Sequence, residues 1–373
     1  MSANRSVVIW RSVLLPASET FIRNQGDAMT RWRPTYVGMR SVPSVLSADT
    51  DVVVAPGGYV GQLTYGWLRL TGGSRRVRRE LARLAPDIVH AHFGGDGWLI
   101  SRSAARLGLP LVITLHGRDV TRQPMARGPR GARYRANLRR AFRRASLVIA
   151  VSEDIRTRAI SLGAGPAKVV VHHTGVRIPP DPGAETPKKW DVIFVGRFVA
   201  KKGIDDLIGA LGMISRRRPR ALFVGAGPLE MSARQGAEAL GLDATFVGMQ
   251  EPAAVRGYLA ESRVFAAPSK TAPDGDAEGL PTTVLEAASL GLPTVATLHG
   301  GIPEAVVPGV TGLLCDEGDR SALAANIERL LADDGLRERL GRQAWQYVAD
   351  HFDIRTQTAR LEALYDGIAG GAD

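Results

Sequence analysis

The 373-residue sequence contains a single cysteine, Cys315, so no disulfide can form within the chain. It also lacks an apolar run of the roughly 18 to 20 residues that a membrane-spanning helix requires. The N-terminal run VVIWRSVLLP carries Arg11 at its centre, which indicates a first β-strand and not a signal peptide. These absences argue against disulfide scaffolds and integral membrane proteins, and we expect a cytoplasmic protein.

Acidic residues are scarce in the first half of the chain. Through residue 187 there are 28 Lys and Arg against 12 Asp and Glu, a net charge of +16, whereas the remainder has 20 against 25, a net charge of −5. The overall content of 45% apolar and 23% charged residues is typical of a globular protein. A basic half of this kind indicates a negatively charged partner: nucleic acid, an anionic membrane surface or a phosphorylated substrate.

Short β-rich apolar runs alternate with longer helical patterns, which is typical of parallel βαβ units. The runs predicted as strands are 6–10, 34–39, 51–55, 87–93, 110–116, 146–152, 168–173, 191–197, 220–227, 244–249, 263–269, 292–297 and 312–316. Residues 178–189 are rich in Pro, Gly and charge and indicate a linker. We predict an α/β protein with two Rossmann-like, doubly wound domains, residues 1–187 and 188–350. They would face each other across a cleft that holds the ligand.

The segment 278-EGLPTTVLEAASLG-291 indicates a helix with Pro281 in its first turn, where the missing N–H costs nothing. The free amides of this turn and the helix dipole favour an anion, and Gly279 permits close approach to the backbone. Glu278 stands at the helix start and Glu286 lies about 1.5 turns inside. There it could accept two hydrogen bonds from the vicinal hydroxyls of a ribose. Alternatively, both acids are solvated helix charges.

Two glycine-containing turns follow strands in the same half. In 194-FVGRFVAKKG-203, Lys201 and Lys202 precede a helix and could neutralise a diphosphate leaving group, although a solvated basic loop has the same composition. In 223-FVGAGPLE-230, Glu230 stands in place of the third glycine of the dinucleotide fingerprint, which argues against a nicotinamide site.

In their order and spacing, these motifs resemble family 4 of the nucleotide-sugar glycosyltransferases, retaining enzymes with the GT-B fold. Further motifs are similar to a bacterial exopolysaccharide branch of that family, of the colanic-acid type: 18-SETFIRNQ-25, 90-HAHFG-94, 114-TLHGRDV-120 and 172-HHTGVR-177. The resemblance implies transfer of a sugar from a nucleotide-diphospho-sugar, with UDP expected, to a hydroxyl acceptor. The product would be a polysaccharide, a glycolipid or a glycosylated natural product. It also implies that the first domain takes the acceptor, the second takes the donor, and residues 351–373 form a helix that crosses back to the first domain.

The resemblance assigns roles residue by residue. Arg197 and Lys202 match the pair that grips the donor diphosphate, and Glu286 matches the acid that holds the ribose. The catalytic positions are Glu278, which would face the transferred sugar, and His116, which would reach that sugar from the other domain. The remaining donor-binding positions are Gly225, Met249, Gly279, Leu280, Pro281 and Thr282. The loop after the first strand departs from the family, since 16-PASET-20 stands where many members have a Gly-Gly pair. We expect Ser18, Glu19 and Thr20 of this loop, with His92, to line the acceptor site.

Several of these positions have alternative interpretations. A histidine that ends a strand, as His116 does, is often a structural group, and Ser18 could cap the helix that follows it. His90 and His92 alternate on one strand and face the same side, but no third ligand accompanies them, so we expect no metal cofactor. The segment with Asp274 and Asp276 is interpreted as a flexible polar loop. Acceptor specificity is expected in segments that we interpret as loops, 16–25, 57–75 and 118–130.

Ten arginines and one acid lie between Arg118 and Arg144. Residues 131–147 are predicted to form a helix with a stripe of Tyr134, Leu138, Ala141, Phe142 and Ala145. A basic amphipathic helix is typical of a membrane-surface anchor, to which anionic lipids or polyprenyl pyrophosphates would be attracted. Alternatively, the stripe packs inside the protein and the arginines are solvated.

Two other function classes stay open at this stage. A nucleotide-sugar 2-epimerase can use the same two-domain fold and needs no acceptor, so product analysis would distinguish it. A basic nucleic-acid-binding protein would explain the charge, but the stacking aromatics and the folds of the common binding modules are absent, so we expect no nucleic-acid partner. The helix that begins at EGLP has no purpose in that interpretation.

Overall fold

The computed structural model describes residues 5–16, 19–55, 57–180, 182, 186–214 and 218–370. The chain forms two compact units, one of Met1–Gly175 with Ile354–Asp373 and one of Val176–Asp353. The boundaries predicted from the sequence are residue 187, in the proline-rich linker, and residue 350.

The first unit is built around one parallel sheet. Its strands are β1 (Arg5–Leu14), β2 (Trp32–Ser41), β3 (Val52–Val53), β4 (Ile88–His92), β5 (Leu111–Leu115), β6 (Leu147–Ala150) and β7 (Val169–Val171). Its helices are α1 (Thr20–Asp27), α2 (Gly58–Thr71), α3 (Arg75–Leu84), α4 (Gly94–Arg106), α5 (Arg122–Met125), α6 (Gly128–Arg144), α7 (Glu153–Ser161) and, from the chain's end, α15 (Ile354–Ala369). The strand order β3-β2-β1-β4-β5-β6-β7 reverses direction between β1 and β4. That reversal is where open α/β sheets bind ligands.

The second unit repeats this plan. Its strands are β8 (Trp190–Val195), β9 (Ala221–Val224), β10 (Ala244–Gly248), β11 (Ser262–Ala267), β12 (Thr294–Thr297) and β13 (Gly312–Cys315). Its helices are α8 (Ile204–Met213), α9 (Glu230–Ala239), α10 (Pro252–Ala260), α11 (Thr282–Ala288), α12 (Ile302–Ala305), α13 (Arg320–Ala332) and α14 (Asp334–Phe352). The order β10-β9-β8-β11-β12-β13 places the reversal between β8 and β11.

The predicted fold class, two Rossmann-like α/β units, is confirmed. Every predicted strand overlaps a strand of the described residues, and all pairings between neighbouring strands are parallel. The prediction succeeded because parallel strands covered by helices on both faces are continuous apolar runs. In β5, for example, all five residues are buried.

Helix α15 belongs to the core of the first unit, where Leu361 and Tyr365 are fully buried. Glu362 on the same helix accepts hydrogen bonds from the backbone amides of Thr30, Arg31 and Trp32, at 2.9, 2.7 and 3.0 Å. The helix is therefore anchored to the turn before β2 by both apolar packing and a buried carboxylate.

Four local predictions were wrong. Segment 16–25 is not only a loop, because α1 begins at Thr20. Segment 57–75 is mostly α2, whose pattern of Tyr, Val, Leu and Trp supports a helix that begins at Gly58. Segment 118–130 contains the short helix α5. Helix α11 begins at Thr282, so Pro281 occupies the N-cap position and does not lie inside the first turn. None of the described helices is both long and apolar enough to span a membrane.

Helix α6 does not offer the apolar face of a membrane anchor. Leu138, Ala141, Phe142 and Ala145 are buried, and α6 packs closely against α4. Tyr134 is partly buried and its hydroxyl donates a hydrogen bond to the Asp119 carbonyl at 2.9 Å. The alternative interpretation is therefore correct for the stripe, which is internal packing. Most arginines of α6 are exposed, whereas Arg135 is partly buried and donates a hydrogen bond to the Pro124 carbonyl at 2.6 Å.

Candidate functional site

The loops that follow β8, β9 and β11 converge at the strand reversal of the second unit. Gly203 has a φ of +63°, and a Cβ there would lie 1.8 Å from the Pro268 carbonyl oxygen. Gly225 has a φ of +132°, and a Cβ there would lie 2.0 Å from the Gly196 carbonyl oxygen. Any side chain at Gly203 or Gly225 would push these loops apart, so both glycines are needed to bring the loops together.

Glu278 lies at this convergence and is 7% exposed. The Lys202 ammonium is 3.0 Å from its Oε1 atom, and the Lys201 ammonium is 3.9 Å from its Oε2 atom. Burial alone would raise the pKa of Glu278, but Lys202 and then Lys201 outweigh it and hold the pKa at about 2. The carboxylate is therefore ionised at neutral pH and cannot act there as a proton donor.

Lys201 also contacts the residues just before Glu278. Its ammonium is 3.2 Å from Asp276 Oδ1 and donates a hydrogen bond to the Ala277 carbonyl at 3.2 Å. Asp276 is buried, so the interpretation of its segment as a flexible polar loop was wrong at this residue. The two lysines of the KKG motif thus divide their roles: Lys201 contacts mainly Asp276 and Lys202 contacts Glu278.

His299, which was not predicted as a site residue, holds the backbone of Glu278 in place. The Glu278 amide donates a hydrogen bond to His299 Nε2 at 3.0 Å. Since Nε2 is the acceptor, Nδ1 carries a hydrogen and donates a hydrogen bond to Glu317 Oε1 at 2.5 Å. His299 is 3% exposed and follows β12, so its position at the carboxyl end of a central strand was the available signal.

Glu286 occupies the middle of α11, whose other face buries Val284, Leu285, Ala287 and Ala288. The Glu286 side chain is partly buried, and its carboxylate has no hydrogen bond or ion pair within the described residues. Burial raises its pKa, against the opposing attraction of Arg256. Such a carboxylate retains its full capacity to accept hydrogen bonds from a ligand.

The other predicted donor residues differ in their exposure. Gly279, Leu280 and Pro281 are buried and Thr282 is partly buried, whereas Arg197 and Met249 are exposed, Met249 by 75%. Arg197 follows the end of β8, and its guanidinium has no partner among the described residues. The loops at one end of the second sheet therefore carry three kinds of group. These are the buried backbone of residues 279–281, the carboxylates of Glu278 and Glu286, and the free guanidinium of Arg197.

In the first unit, a buried cluster of charges lies at the reversal between β1 and β4. The Arg11 guanidinium donates to Glu19, with Nε 2.7 Å from Oε2, and to the Asp96 carboxylate. Asp96 also accepts from the Ser12 amide at 2.8 Å. Burial opposes the charge on Arg11, but the attraction of Asp96 and the bond with Glu19 raise its pKa. Sequence reasoning found only Glu19, because Asp96 lies far from Arg11 in the chain.

Three histidines lie side by side at the same end of this sheet. His92 Nδ1 and His116 Nε2 share a hydrogen bond of 3.0 Å, and His90 stacks on His92 with ring centroids 4.4 Å apart. Burial, with a smaller effect of Arg11, lowers the pKa of His116 to about 3. The histidine is therefore neutral at pH 7 and can donate or accept a hydrogen bond without carrying charge.

Asp119 fixes the loop that carries His116. Its carboxylate accepts from the amides of Gly94, His116 and Gly117, at 2.8, 3.2 and 2.9 Å. Among the remaining predicted acceptor residues, Thr20 is the partly buried first residue of α1, and Ser18 lies outside the described residues. Within the described parts of the chain no group of three or more His, Cys, Asp or Glu could hold a metal ion.

Two Rossmann-like units with charged clusters at their strand reversals are typical of the GT-B glycosyltransferases, a fold that a nucleotide-sugar 2-epimerase can share. The sequence profile of glycosyl transferases group 1 matches residues 180–347, and that of glycosyltransferase family 4 matches residues 19–178. Together the two matches cover most of both units.

Individual relatives agree with these profiles. The chain is 30% identical over 297 residues to WcaL of Salmonella typhimurium, assigned to colanic acid biosynthesis as a glycosyltransferase, covering 76% of this chain and 71% of that protein. It is 33% identical over 290 residues to the GDP-mannose-dependent α-(1-6)-phosphatidylinositol monomannoside mannosyltransferase of Mycolicibacterium smegmatis, covering 73% of each. Among solved structures, Anabaena HepE in complex with UDP has a TM-score of 0.77 at 21% identity, covering 97% of this chain and 100% of that one.

The chain therefore belongs to the family 4 glycosyltransferases, the glycosyl transferases group 1, and is a glycosyltransferase. The resemblance seen in the sequence is confirmed. This membership favours a glycosyltransferase over the 2-epimerase and nucleic-acid-binding alternatives.

Proposed function

We propose that this glycosyltransferase moves a sugar from a UDP-sugar to a hydroxyl acceptor, with retention of anomeric configuration. The reaction would serve polysaccharide or glycolipid biosynthesis, as the names of its relatives suggest. A lipid-linked acceptor would bring the protein to the anionic inner face of the cell membrane. UDP is favoured by the complex of the Anabaena neighbour, while GDP is the competing nucleotide because the mycobacterial relative is GDP-mannose-dependent.

The observation that carries this proposal is the Lys202–Glu278 pair at the strand reversal of the second unit. Lys202 and the free guanidinium of Arg197 would neutralise the donor diphosphate as it leaves. Glu286, which has no partner within the described residues, would accept hydrogen bonds from the two ribose hydroxyls. The exposed Met249 and the backbone at Gly225 would lie beside the nucleobase and the phosphates.

Glu278 would act by charge and not by proton transfer. Its pKa of about 2 keeps it ionised, so it can stabilise the positive charge that develops on an oxocarbenium-like sugar. In the proposed reaction the bond from the anomeric carbon to the phosphate oxygen breaks. The bond to the acceptor oxygen forms on the same face. The acceptor's hydroxyl proton passes to the departing phosphate oxygen.

The first unit would bind the acceptor through its charge cluster. Glu19 directly precedes Thr20, the first residue of α1, and binds the partly buried Arg11, while His92 shares a hydrogen bond with His116. The neutral His116 would hydrogen-bond a sugar hydroxyl. Arg11 would hold the Glu19 carboxylate in position, and the other groups named here would bind the acceptor's hydroxyls.

A panel of nucleotide sugars tests the donor assignment. A ligand that binds the folded state raises the melting temperature, so UDP-, GDP-, ADP- and dTDP-sugars can be ranked by thermal shift. We expect the largest shift from a UDP-sugar, and we expect it to be lost in Glu286→Ala. A larger shift with a GDP-sugar would replace UDP by GDP, and no shift with any of the four would remove the donor site.

A further inference from the structure

Helix α2 presents an apolar surface to solvent. Five of its large side chains are more than half exposed, and we call them the α2 stripe: Tyr59, Val60, Leu63, Trp67 and Leu70. Steps of three and four residues separate Val60, Leu63, Trp67 and Leu70, so they follow one face of the helix. A soluble surface rarely collects so many large apolar side chains, and such a patch marks a binding surface.

The opposite face of α2 already accounts for its packing. Only Gly61 and Leu68 are buried, and the Tyr65 hydroxyl lies 3.3 Å from the Ser12 hydroxyl. The helix ends at Gly72, which has a left-handed φ of +64° and whose amide bonds to the Leu68 carbonyl. The α2 stripe is therefore not needed to hold the helix on the first unit.

Arginines of two neighbouring helices surround the C-terminal half of this stripe. Arg75, Arg76 and Arg78 of α3 and Arg102 and Arg106 of α4 form what we call the arginine cluster. With Leu63, Trp67 and Leu70, the cluster lines one open concavity of about 890 Å³. None of the five side chains has a hydrogen bond or an ion pair with any described residue. Arg102 and Arg78 repel Arg106 and lower its pKa. Unpaired like charges of this kind attract an anionic partner.

We propose that the α2 stripe and the arginine cluster together form a surface that docks on a bilayer of anionic phospholipids. The stripe would enter the boundary between headgroups and acyl chains, and the arginines would contact the phosphates beside it. This inference extends the membrane association proposed above by assigning its surface, and it rests on that part of the proposed function.

A bilayer fits these observations better than other anionic partners. Nucleic acid would use the arginine cluster but would leave the apolar side chains of the α2 stripe in water. Helix α6 is equally basic, but its apolar side chains Leu138 and Phe142 are buried, so it could offer only a diffuse charge attraction. Of these two surfaces, the one at α2 combines exposed apolar anchors with unpaired cations.

Vesicle co-sedimentation of the full-length chain tests the assignment. The vesicles would contain phosphatidylcholine with about one third phosphatidylglycerol, or phosphatidylcholine alone. Leu63→Ser/Trp67→Ser removes two apolar anchors, and Arg75→Gln/Arg76→Gln removes two charges of the cluster. Arg133→Gln/Arg143→Gln removes two exposed, unpaired charges of α6 and is the matched control. All four replaced side chains at α2 and α3 are exposed, so the melting temperature should be unchanged.

We expect the wild-type chain to bind the anionic vesicles and not the neutral ones. Leu63→Ser/Trp67→Ser should weaken binding at least tenfold at all salt concentrations, and Arg75→Gln/Arg76→Gln should weaken it most at low salt. The α6 control should bind within about twofold of wild type. Three outcomes would overturn the proposal: no binding at low salt, a loss of binding confined to the α6 variant, or a dimer in solution that Trp67→Ser dissociates. Because no donor or acceptor is present, a failure here leaves the transfer reaction untouched.

Discussion

Replacement of Lys202 by Met isolates the interaction on which the proposed donor site depends. The change removes the cation 3.0 Å from Glu278 Oε1 while it keeps a side chain of similar length. Burial raises the pKa of Glu278, and Lys202 is the strongest opposing influence on a pKa of about 2 that would ordinarily be 4.5. That difference corresponds to roughly 3 kcal/mol in favour of the carboxylate. Lys201, 3.9 Å from the other oxygen, would preserve only part of it.

Two results should follow from this substitution. At pH 7, kcat/KM should fall at least tenfold, about 1.4 kcal/mol, because the leaving diphosphate loses a cation. The acid side of the pH profile should also move. In wild type, the stabilisation of the folded protein by ionised Glu278 is present above pH 4.5 and is lost only as the pH falls through about 2. In the variant the carboxylate protonates at a higher pH, so activity should decline at a higher pH than in wild type.

The assay is release of the nucleoside diphosphate between about pH 4 and pH 8, with kcat/KM measured at each pH. Arg197→Met is the matched control, since Arg197 is exposed and makes no contact with Glu278. It should lose activity without a change in the acid side of the profile. Wild-type kcat/KM in Lys202→Met, or an acid limb identical to that of Arg197→Met, would refute the reasoning.

Four further results are expected. Glu286→Ala should lower kcat/KM at least tenfold, mainly through KM for the donor, and Glu286→Gln should lose less because one acceptor oxygen remains. Glu317→Ala should lower the free energy of unfolding by about 1 to 3 kcal/mol, because it leaves the buried His299 Nδ1–H without an acceptor. Gly203→Ala should lower the melting temperature strongly, since its Cβ would meet the Pro268 carbonyl at 1.8 Å. Treatment with EDTA should leave activity intact.

The two stability predictions have control variants. The control for Glu317→Ala is Glu338→Ala, which removes a carboxylate that is 65% exposed and should change the free energy of unfolding by less than about 0.5 kcal/mol. Gly241→Ala has a similar φ of +60° but open space around it, so it should cost only about 1 kcal/mol. Equal losses at positions 203 and 241 would mean that the loops do not need their close approach. A strict requirement for Mg²⁺ or Mn²⁺ would contradict the metal-free proposal.

The fold could be predicted from local patterns because buried parallel strands are continuous apolar runs with turn residues between them. Of the predicted site residues of the second unit, Lys202 and Glu278 are in contact, since the segments that carry them follow the carboxyl ends of β8 and β11. The topology then sets the neighbours. The strand reversal between β8 and β11 places Lys202 beside Glu278, and no local pattern of either segment contains that contact.

What the sequence did not reveal depends on partners that are distant in the chain. Arg11 was used only to argue against a signal peptide, yet it binds Glu19 and Asp96 at the reversal between β1 and β4. His299 was overlooked because its one signal, a position after a strand, is shared by structural histidines. The exposed stripe of α2 was missed for a different reason: its segment was interpreted as a loop, so the apolar side chains were not placed on a helix face.

The central claim is that this chain transfers a sugar from a nucleotide sugar with retention. The most direct measurement takes the UDP-sugar that raises the melting temperature most, adds an acceptor, and follows the products by NMR. The account predicts one free UDP for each glycoside formed, with the anomeric configuration of the donor preserved. A glycoside of inverted configuration, or a new nucleotide sugar formed without any acceptor, would contradict it.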